Sequence, residues 1–555
     1  MIRREFINVD GQEVHFRIAG NGPPIVLLHD SPRSSVLHLP QLEHFADEFT
    51  VIALDTPGYG NSAPLPREPR PEIGDFADSL AATLTALAIE RCTLYGFHTS
   101  SKIALEFAVR HPTRVAIAIM DGLNLPPGGP GDEFIARYMK PFEVNDDGSH
   151  LATAWSRSRD LHRFFPWFDT TAKSRLPMAL PNETQLHAYT LDLLMAGANY
   201  SSAYSAAMRY LALPRLAQLT ANAVFMCRDN DPLYPYLDTI EQNLPTNSKV
   251  LRLGGEREPW LARLRELFRA GTLGQPDYRE TSSNAVTGQC YVSLPHGQVR
   301  VCLRGPADAP ALLLVHDLPG SIHSLGALAE ALAAKRRVIT LDLPGEGESD
   351  PLAAPDCAQF GAVIAGVLRS LGVAPADVYA QHWAAPLAVE CALQSPALVR
   401  SLTLDGPLLP GKSETRQLWK RYCPSIAPRW DGSHLIALWH QLRDRELNWP
   451  WYAHDTHSIR NRSLTVSPKT LHALVTDLVK QPNHYGDACR AAIEYRLAES
   501  MSRVASPVAT LLARDDVRYD KAAKLARKAT AARLIEYDAR TPESLAAVLA
   551  EAVAG

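Results

Sequence analysis

The chain of 555 residues lacks any stretch close to the roughly 20 consecutive apolar residues of a membrane helix, so no membrane span is expected. It also lacks a surplus of either charge: 56 Lys and Arg stand against 60 Asp and Glu, a net charge of −4. Without a basic stripe, neither a nucleic acid nor a membrane surface is expected as a partner. No two cysteines form a C-x-x-C pair. The eight stand at 92, 227, 290, 302, 357, 391, 423 and 489, six of them after residue 289, so they make no matched framework. They read as reduced, mostly buried small apolar residues of a cytoplasmic protein. The opening "MIRREF" has no apolar run behind it, so no signal peptide is expected.

What is present is ordinary in bulk and repetitive in detail. Apolar residues make up 46% and charged residues 21%, as in globular chains. The length exceeds what one core organises, so two or more domains are expected. "VLLHDSPRSS" (26–35) matches "LLVHDLPGSI" (313–322), and "VIALDTPGYGNS" (51–62) matches "VITLDLPGEGES" (338–349), both offset by 287. "MDGLNLPP" (120–127) matches "LDGPLLPG" (404–411), and "DGSHL" recurs at 147 and 431, both offset by 284. A spacing held across separate motifs is a duplicated domain. The polar, turn-rich segment "GTLGQPDYRETSSNAVTGQ" (271–289) reads as the linker. The expected domains are 1–272 and 290–555 with 273–289 between them, an arrangement that makes an intrachain pseudo-dimer and leaves a homo-oligomer open.

Each copy opens on an alternating hairpin pattern, 6–18 or 291–303. Short apolar runs such as "PIVLLHD" and "VIALD" follow, bounded by Gly and Pro, and read as buried parallel strands. Helical patterns such as "DFADSLAATLTALAI" (75–89) separate them. This alternation predicts an α/β fold: two tandem domains, each a mostly parallel doubly wound sheet. A helix-rich insert, about 128–215 and again about 412–497, follows the fourth such strand. It is expected as a lid over the carboxyl ends of the strands, where such sheets bind ligands.

Three motifs carry chemistry. "LYGFHTSSKIALEFAVRHP" (94–112) reads as strand, sharp turn and helix with His98 at the tip, and "VYAQHWAAPLAVECALQSP" (378–396) repeats it with His382. A loop reads His29-Asp30-Ser31-Pro32 in one copy and His316-Asp317-Leu318-Pro319 in the other. "D-x-P-G-x-G-x-S" follows the next strand in both. Together these resemble the α/β-hydrolase superfamily, twice over and across nearly the whole chain. The resemblance implies an oxyanion loop at His29 and His316. It also implies a nucleophile elbow at 96–100 and 380–384, where G-x-S-x-G has become Gly96-Phe97-His98-Thr99-Ser100 and Ala380-Gln381-His382-Trp383-Ala384. Small residues remain at the outer positions, so the elbow geometry is expected with a changed tip. The family acid falls on Asp231, with Asp229 as an alternative, in the first copy; in the second Val517 takes that position, with Asp516 one residue off. Where the family histidine belongs stand Glu256 or Arg257, and Ala539 or Arg540. A serine mechanism needs a hydroxyl and a base in mutual reach. Both are missing, so a conventional serine esterase is not expected.

The leading expectation is an atypical hydrolase, or a carbon–carbon or carbon–oxygen lyase, acting on a small organic substrate through general acid–base catalysis by His98 or His382. Asp30 or Asp121, and Asp317 or Asp405, would orient the imidazole. The bland reading of Asp121 and Asp405 is D-G turn chemistry. Asp30 stands where a glycine usually lets the backbone approach substrate, and its charge would repel a tetrahedral oxyanion. No cofactor is expected. A divalent metal at His98 or His382, with His29, Asp30 and Asp121 as further ligands, is the minority alternative. His29 and His316 are otherwise candidate substrate contacts or plain structural histidines. In the inserts Tyr138, His150, Trp155 and Arg159 pair with Tyr422, His434, Trp439 and Arg443. They suggest an aromatic-walled pocket with arginine gripping a carboxylate, against a helix face simply packed on the core. If one copy works, the first is favoured. The rivals are a non-catalytic scaffold on the same fold, and a conventional hydrolase whose nucleophile is Ser100.

Overall fold

The computed structural model describes residues 1–68, 70–126, 128–279, 287–460, 467–528, 532–538 and 541–554. The opening alternation makes a hairpin: β1 (Arg3–Val9) pairs antiparallel with β2 (Gln12–Ala19), Val9 opposite Gln12. Asp10 and Gly11 turn between them with φ of 51° and 85°, the left-handed values a two-residue hairpin loop requires. The apolar runs become β3 (Pro24–Leu28) and β4 (Thr50–Leu54), every residue of which is buried, then β5 (Cys92–Phe97), β6 (Val115–Asp121), β7 (Ala223–Arg228) and β8 (Ser248–Leu253). From β3 to β8 the pairing is parallel, and the sheet order is β1-β2-β4-β3-β5-β6-β7-β8.

The second half builds the same order from β9 (Gly288–Leu294), β10 (Gly297–Arg304), β11 (Ala311–Val315), β12 (Arg337–Leu341), β13 (Ala376–Gln381), β14 (Val399–Asp405), β15 (Val508–Ala513) and β16 (Ala532–Tyr537): β9-β10-β12-β11-β13-β14-β15-β16. Each half is thus an eight-stranded, mostly parallel sheet. One face of the first packs Phe45, Phe49, Tyr95, Trp260 and Phe268; its counterpart packs Leu328, Leu332, Tyr379, Leu511 and Leu549.

Two compact units result, Met1–Glu143 with Ala154–Asn284 and Val144–Thr153 with Ala285–Gly555. The first helix-rich segment contributes Asp132–Tyr138, Ser149–Leu161, Glu183–Ala196, Ser201–Arg209 and Ala212–Leu216 between β6 and β7. Past the helix Arg257–Thr272 the chain does not leave its unit at once, since Tyr278 N–H donates to the Gly22 carbonyl at 2.8 Å. Residues 280–286 of the expected linker lie outside the described residues, as do Ala539 and Arg540. All eight cysteines are free thiols and seven are buried. Among the described residues no helix is long and apolar enough to cross a membrane.

Candidate active site

His98 sits between β5 and the helix Thr99–Arg110 at φ 49°, ψ −110°, a strained conformation for a residue with a side chain. The turn closes because its neighbours are small. A Cβ on Gly96 would stand 2.5 Å from the Ser100 carbonyl oxygen, and one on Gly122, 2.5 Å from His98 Cδ2. His98 N–H donates to the Asp121 carbonyl at 2.9 Å, tying the tip to the end of β6.

The imidazole is held by carboxylates from two other strand ends. Nε2 lies 2.7 Å from Asp231 Oδ2, in the loop after β7. Nδ1 faces Asp30 Oδ2 at 4.0 Å, in the loop after β3. Burial alone would lower the imidazole pKa. The hydrogen bond to Asp231, with the charges of Asp30, Asp231 and Asp121, outweighs it and raises the value to about 9. Asp231 is correspondingly held below the ordinary carboxylate range: burial pushes it up, and the bond to His98 overcomes this. An inflection near neutrality, the ordinary behaviour of histidine, is therefore not what this site predicts.

Asp30 Oδ1 accepts the N–H of Ser31 at 2.7 Å, the hydroxyl of Thr99 at 3.1 Å and, at 3.5 Å, the N–H of Thr99. Thr99 follows the elbow residue, and Ser31 lies in the loop after β3. These are the two backbone positions that supply an oxyanion hole on this architecture. The first unit fills it with its own carboxylate.

Other expected participants are placed elsewhere. Asp121 is buried, and its Oδ2 accepts Tyr95 O–H and Trp260 Nε1–H, both at 2.9 Å; it orients strands rather than His98. Asp405 does the same with Tyr379 and Tyr537. His29 is buried, bonded through Nδ1 to the Asp30 carbonyl and through Nε2 to Thr56 N–H, so it offers no nitrogen to substrate or metal. His316 is equally buried, with Nδ1 on the Asp317 carbonyl. Ser100 is 1% exposed; its hydroxyl donates to the Leu28 carbonyl and receives Phe97 N–H, so it braces the elbow. Glu256 and Arg257 are exposed. Among the described residues no group of three or more His, Cys, Asp or Glu is arranged to hold a metal.

The insert residues divide. Tyr138 is buried near Tyr204, the two hydroxyls 3.4 Å apart. Burial raises the phenols of Tyr138, Tyr189, Tyr200 and Tyr204, and the charge of Asp30 raises them further. Trp155 and Trp439 lie in the core, 2% and 0% exposed, as a helix face packed on the core would place them, and Tyr422 is 1% exposed. His150 and His434 accept backbone N–H groups of their own turns, from Asn145 and Arg429, and are buried. Arg159 and Arg443 are half-buried at helix surfaces; the buried arginine of the first insert is Arg157. The signal for it was available. Leu151, Ala154, Trp155 and Ser158 form the inward stripe of that helix, and Arg157 borders it.

The second elbow is arranged differently. His382 keeps φ 46°, and Asp317 Oδ1 accepts Leu318 N–H at 2.8 Å and Trp383 N–H at 3.1 Å, repeating the filled hole. Asp516, however, is gripped by Arg518 through two bonds, and Arg518 Nη2 stands 3.1 Å from His382 Nε2. Guanidinium only donates, so Nε2 is the acceptor and Nδ1–H points to the Gly406 carbonyl. Trp383, Tyr422 and Trp449 pack against one another, and the Arg518 guanidinium stands 5.1 Å from the Trp449 ring centroid. No local pattern signals Arg518, which stands one residue beyond the expected acid position at Val517.

Comparison with known proteins agrees on the architecture. The family model described as alpha/beta hydrolase fold matches residues 23–253 and 310–461. The chain belongs to the α/β hydrolase fold family. It is 29% identical over 139 residues to an uncharacterized hydrolase of Saccharomyces cerevisiae, covering 24% of this chain and 48% of the other. It is 28% identical over 124 residues to (E)-2-((N-methylformamido)methylene)succinate hydrolase of Acinetobacter baylyi, covering 22% and 46%. The chain spans about a third to a half of the length of the curated relatives it matches. Among solved structures, the enol-lactonase of Burkholderia xenovorans aligns at 16% identity and TM-score 0.38, over 48% of this chain and all of the other.

Proposed function

We propose that the first unit is an acid–base enzyme of hydrolase or lyase type, acting on a small organic molecule without an acyl-enzyme. His98 is the acid. With a pKa of about 9 it is an imidazolium at neutral pH, anchored by Asp231 and free to give its Nδ1 proton toward the space beside Asp30. Asp30 Oδ2 is the base. It takes a proton from water or a substrate hydroxyl while His98 delivers one to the leaving atom, and the two protons balance. A tetrahedral oxyanion has no seat, because Asp30 Oδ1 already occupies the two N–H donors. That occupation is the observation carrying the proposal. Family membership and hydrolase-named relatives support the reaction class. The helical segment between β6 and β7 serves as the lid, and the second unit as a structural partner. The rate should be flat through neutrality and fall tenfold per pH unit above about 9, as His98 loses its proton. A rate that instead rises through that range would make His98 a base and refute the assignment.

A further inference from the structure

The two units fill the same layer of the fold differently. In the first, the helix Arg257–Thr272 brings Phe268 onto Phe45 and Phe49, ring centroids 5.0 and 6.0 Å apart. The offset of 287 puts Leu332 at the position of Phe45 and Arg336 at that of Phe49. The covering helix of the second unit, Pro542–Ala554, reads "PESLAAVLAEAVA" and has no aromatic residue. The edge differs as well. In the first unit Arg265 bonds Asp47 at 2.9 Å and Arg269 bonds Glu48 at 2.7 Å, fastening helix to loop. Ala334 and Lys335 stand at those two positions in the second, so the clasp has no counterpart there.

A cleft of about 520 Å³ lies in that layer of the second unit, within the range of about 300–1,000 Å³ usual for small-molecule sites. Its apolar wall includes Leu312, Leu332, Ala546, Leu549 and Val553. Glu543 and Val553 both line it, and ten residues along one helix span about 15 Å, so the cleft is elongated. Pro310, Asp377 and Arg400 line it at the amino ends of β11, β13 and β14. His382 follows the carboxyl end of β13, so the cleft is separate from the second elbow.

The polar part of the lining is charged. Asp377 is 1% exposed and accepts Arg400 Nε–H at 2.9 Å, Arg400 Nη2–H at 2.7 Å and Arg336 Nη2–H. Two guanidiniums on one carboxylate leave one positive charge over, while Lys335 and Glu543, both exposed, offset each other. Nη1 of Arg336 and of Arg400 has no hydrogen-bond partner among the described residues. Their side chains are 19% and 44% exposed, so a ligand can reach them. The first unit builds the same sheet with Phe49, Thr93 and Ala116 at the positions of Arg336, Asp377 and Arg400. The fold does not require this charged group.

We infer that the cleft binds a small monocarboxylate with an apolar tail, its carboxylate on Nη1 of Arg336 and Arg400 and its chain along the helix Pro542–Ala554. One negative charge balances the excess, and guanidinium suits a planar carboxylate. The second unit thereby gains a ligand of its own, independent of the chemistry at His98. The test is calorimetric titration of the full chain with octanoate. One octanoate per chain should bind, at least tenfold tighter than octanamide, which lacks the charge, and at least tenfold tighter than butanoate, which lacks the chain. Ala550→Phe puts a ring into the cleft from an exposed position of the helix and should weaken octanoate at least tenfold. Lys335→Glu reverses a charge of the lining and should weaken octanoate at least threefold, with octanamide unchanged. No octanoate binding, equal binding of acid and amide, or an affinity unaltered in Ala550→Phe overturns the inference, the last because octanoate then sits elsewhere. Should Ala550→Phe fail to fold, an unchanged preference for acid over amide in Lys335→Glu overturns it equally.

Discussion

Replacing Asp231 with asparagine isolates the group that sets the charge of His98. Asn keeps an oxygen for Leu233 N–H, which Asp231 Oδ1 accepts at 2.8 Å, so the loop after β7 has reason to stay in place. It removes the carboxylate that holds Nε2 at 2.7 Å. A pKa of about 9, against 6.5 for a free imidazole, corresponds to roughly 3 kcal/mol favouring the charged form of a side chain 23% exposed. Without Asp231, burial opposes only the more distant carboxylates, and the value should fall to about 6.5 or below. At pH 8 the imidazolium fraction then drops from about nine-tenths to a few hundredths, roughly thirtyfold. An NMR titration of the His98 ring, assigned by loss of its signal in His98→Asn, reads this directly and needs no substrate. The same shift has a stability consequence of fixed sign. It stabilises the fold fully below about pH 6.5, and the contribution disappears as pH rises through about 9. A wild-type value near 6.5, or one unmoved by Asp231→Asn, would falsify the electrostatic account of the site.

Further outcomes follow from burial. His15 Nδ1 and Asp55 Oδ2 meet at 2.7 Å with side chains 0% and 1% exposed; His15→Ala leaves the buried carboxylate only the N–H groups of Ser35 and Asn61 and should cost about 3 kcal/mol in denaturant unfolding of the first unit. A serine-directed fluorophosphonate should leave the protein unlabelled by mass spectrometry, because the Ser100 hydroxyl is enclosed and bonded to the Leu28 carbonyl; stoichiometric label on Ser100 would restore the conventional hydrolase. Gly122→Ala should lower the melting temperature and distort the site together, since the added methyl meets His98 Cδ2 at 2.5 Å and the glycine holds φ 73°.

The strands and the elbow were legible because they depend on local pattern. Five-residue apolar runs can only be buried strands between Gly and Pro turns, and small residues at 96 and 100 announce a tight strand-to-helix corner whatever stands at its tip. Asp231 entered through the family resemblance, as the position of the family acid, while Asp30 or Asp121 was expected to orient His98; the carboxylate that holds Nε2, at 2.7 Å, is that of Asp231. What spacing hides is which donors claim a carboxylate. Asp121 is the last residue of the strand beside the elbow, yet Tyr95 and Trp260, the latter 139 residues away, had already taken it. Arg157 went unnoticed because of helix phase: pairing Arg159 with Trp155 at i, i+4 put both on one face, while Arg157, not Arg159, is the buried one. The closing of the second site was illegible for the same reason. Arg518 acts through a bond to Asp516 two residues back and a contact to His382, 136 positions earlier, and neither leaves a periodic trace.

The central claim is that the first elbow works and the second does not. The most direct measurement is turnover of wild type, His98→Ala and His382→Ala on a panel of small esters, lactones, enol ethers and β-hydroxy carbonyl compounds. The account predicts that whichever compound wild type consumes is lost about a hundredfold or more in His98→Ala, the usual scale of a general acid, and stays within about twofold in His382→Ala. Full activity in His98→Ala, or its loss in His382→Ala alone, would contradict it.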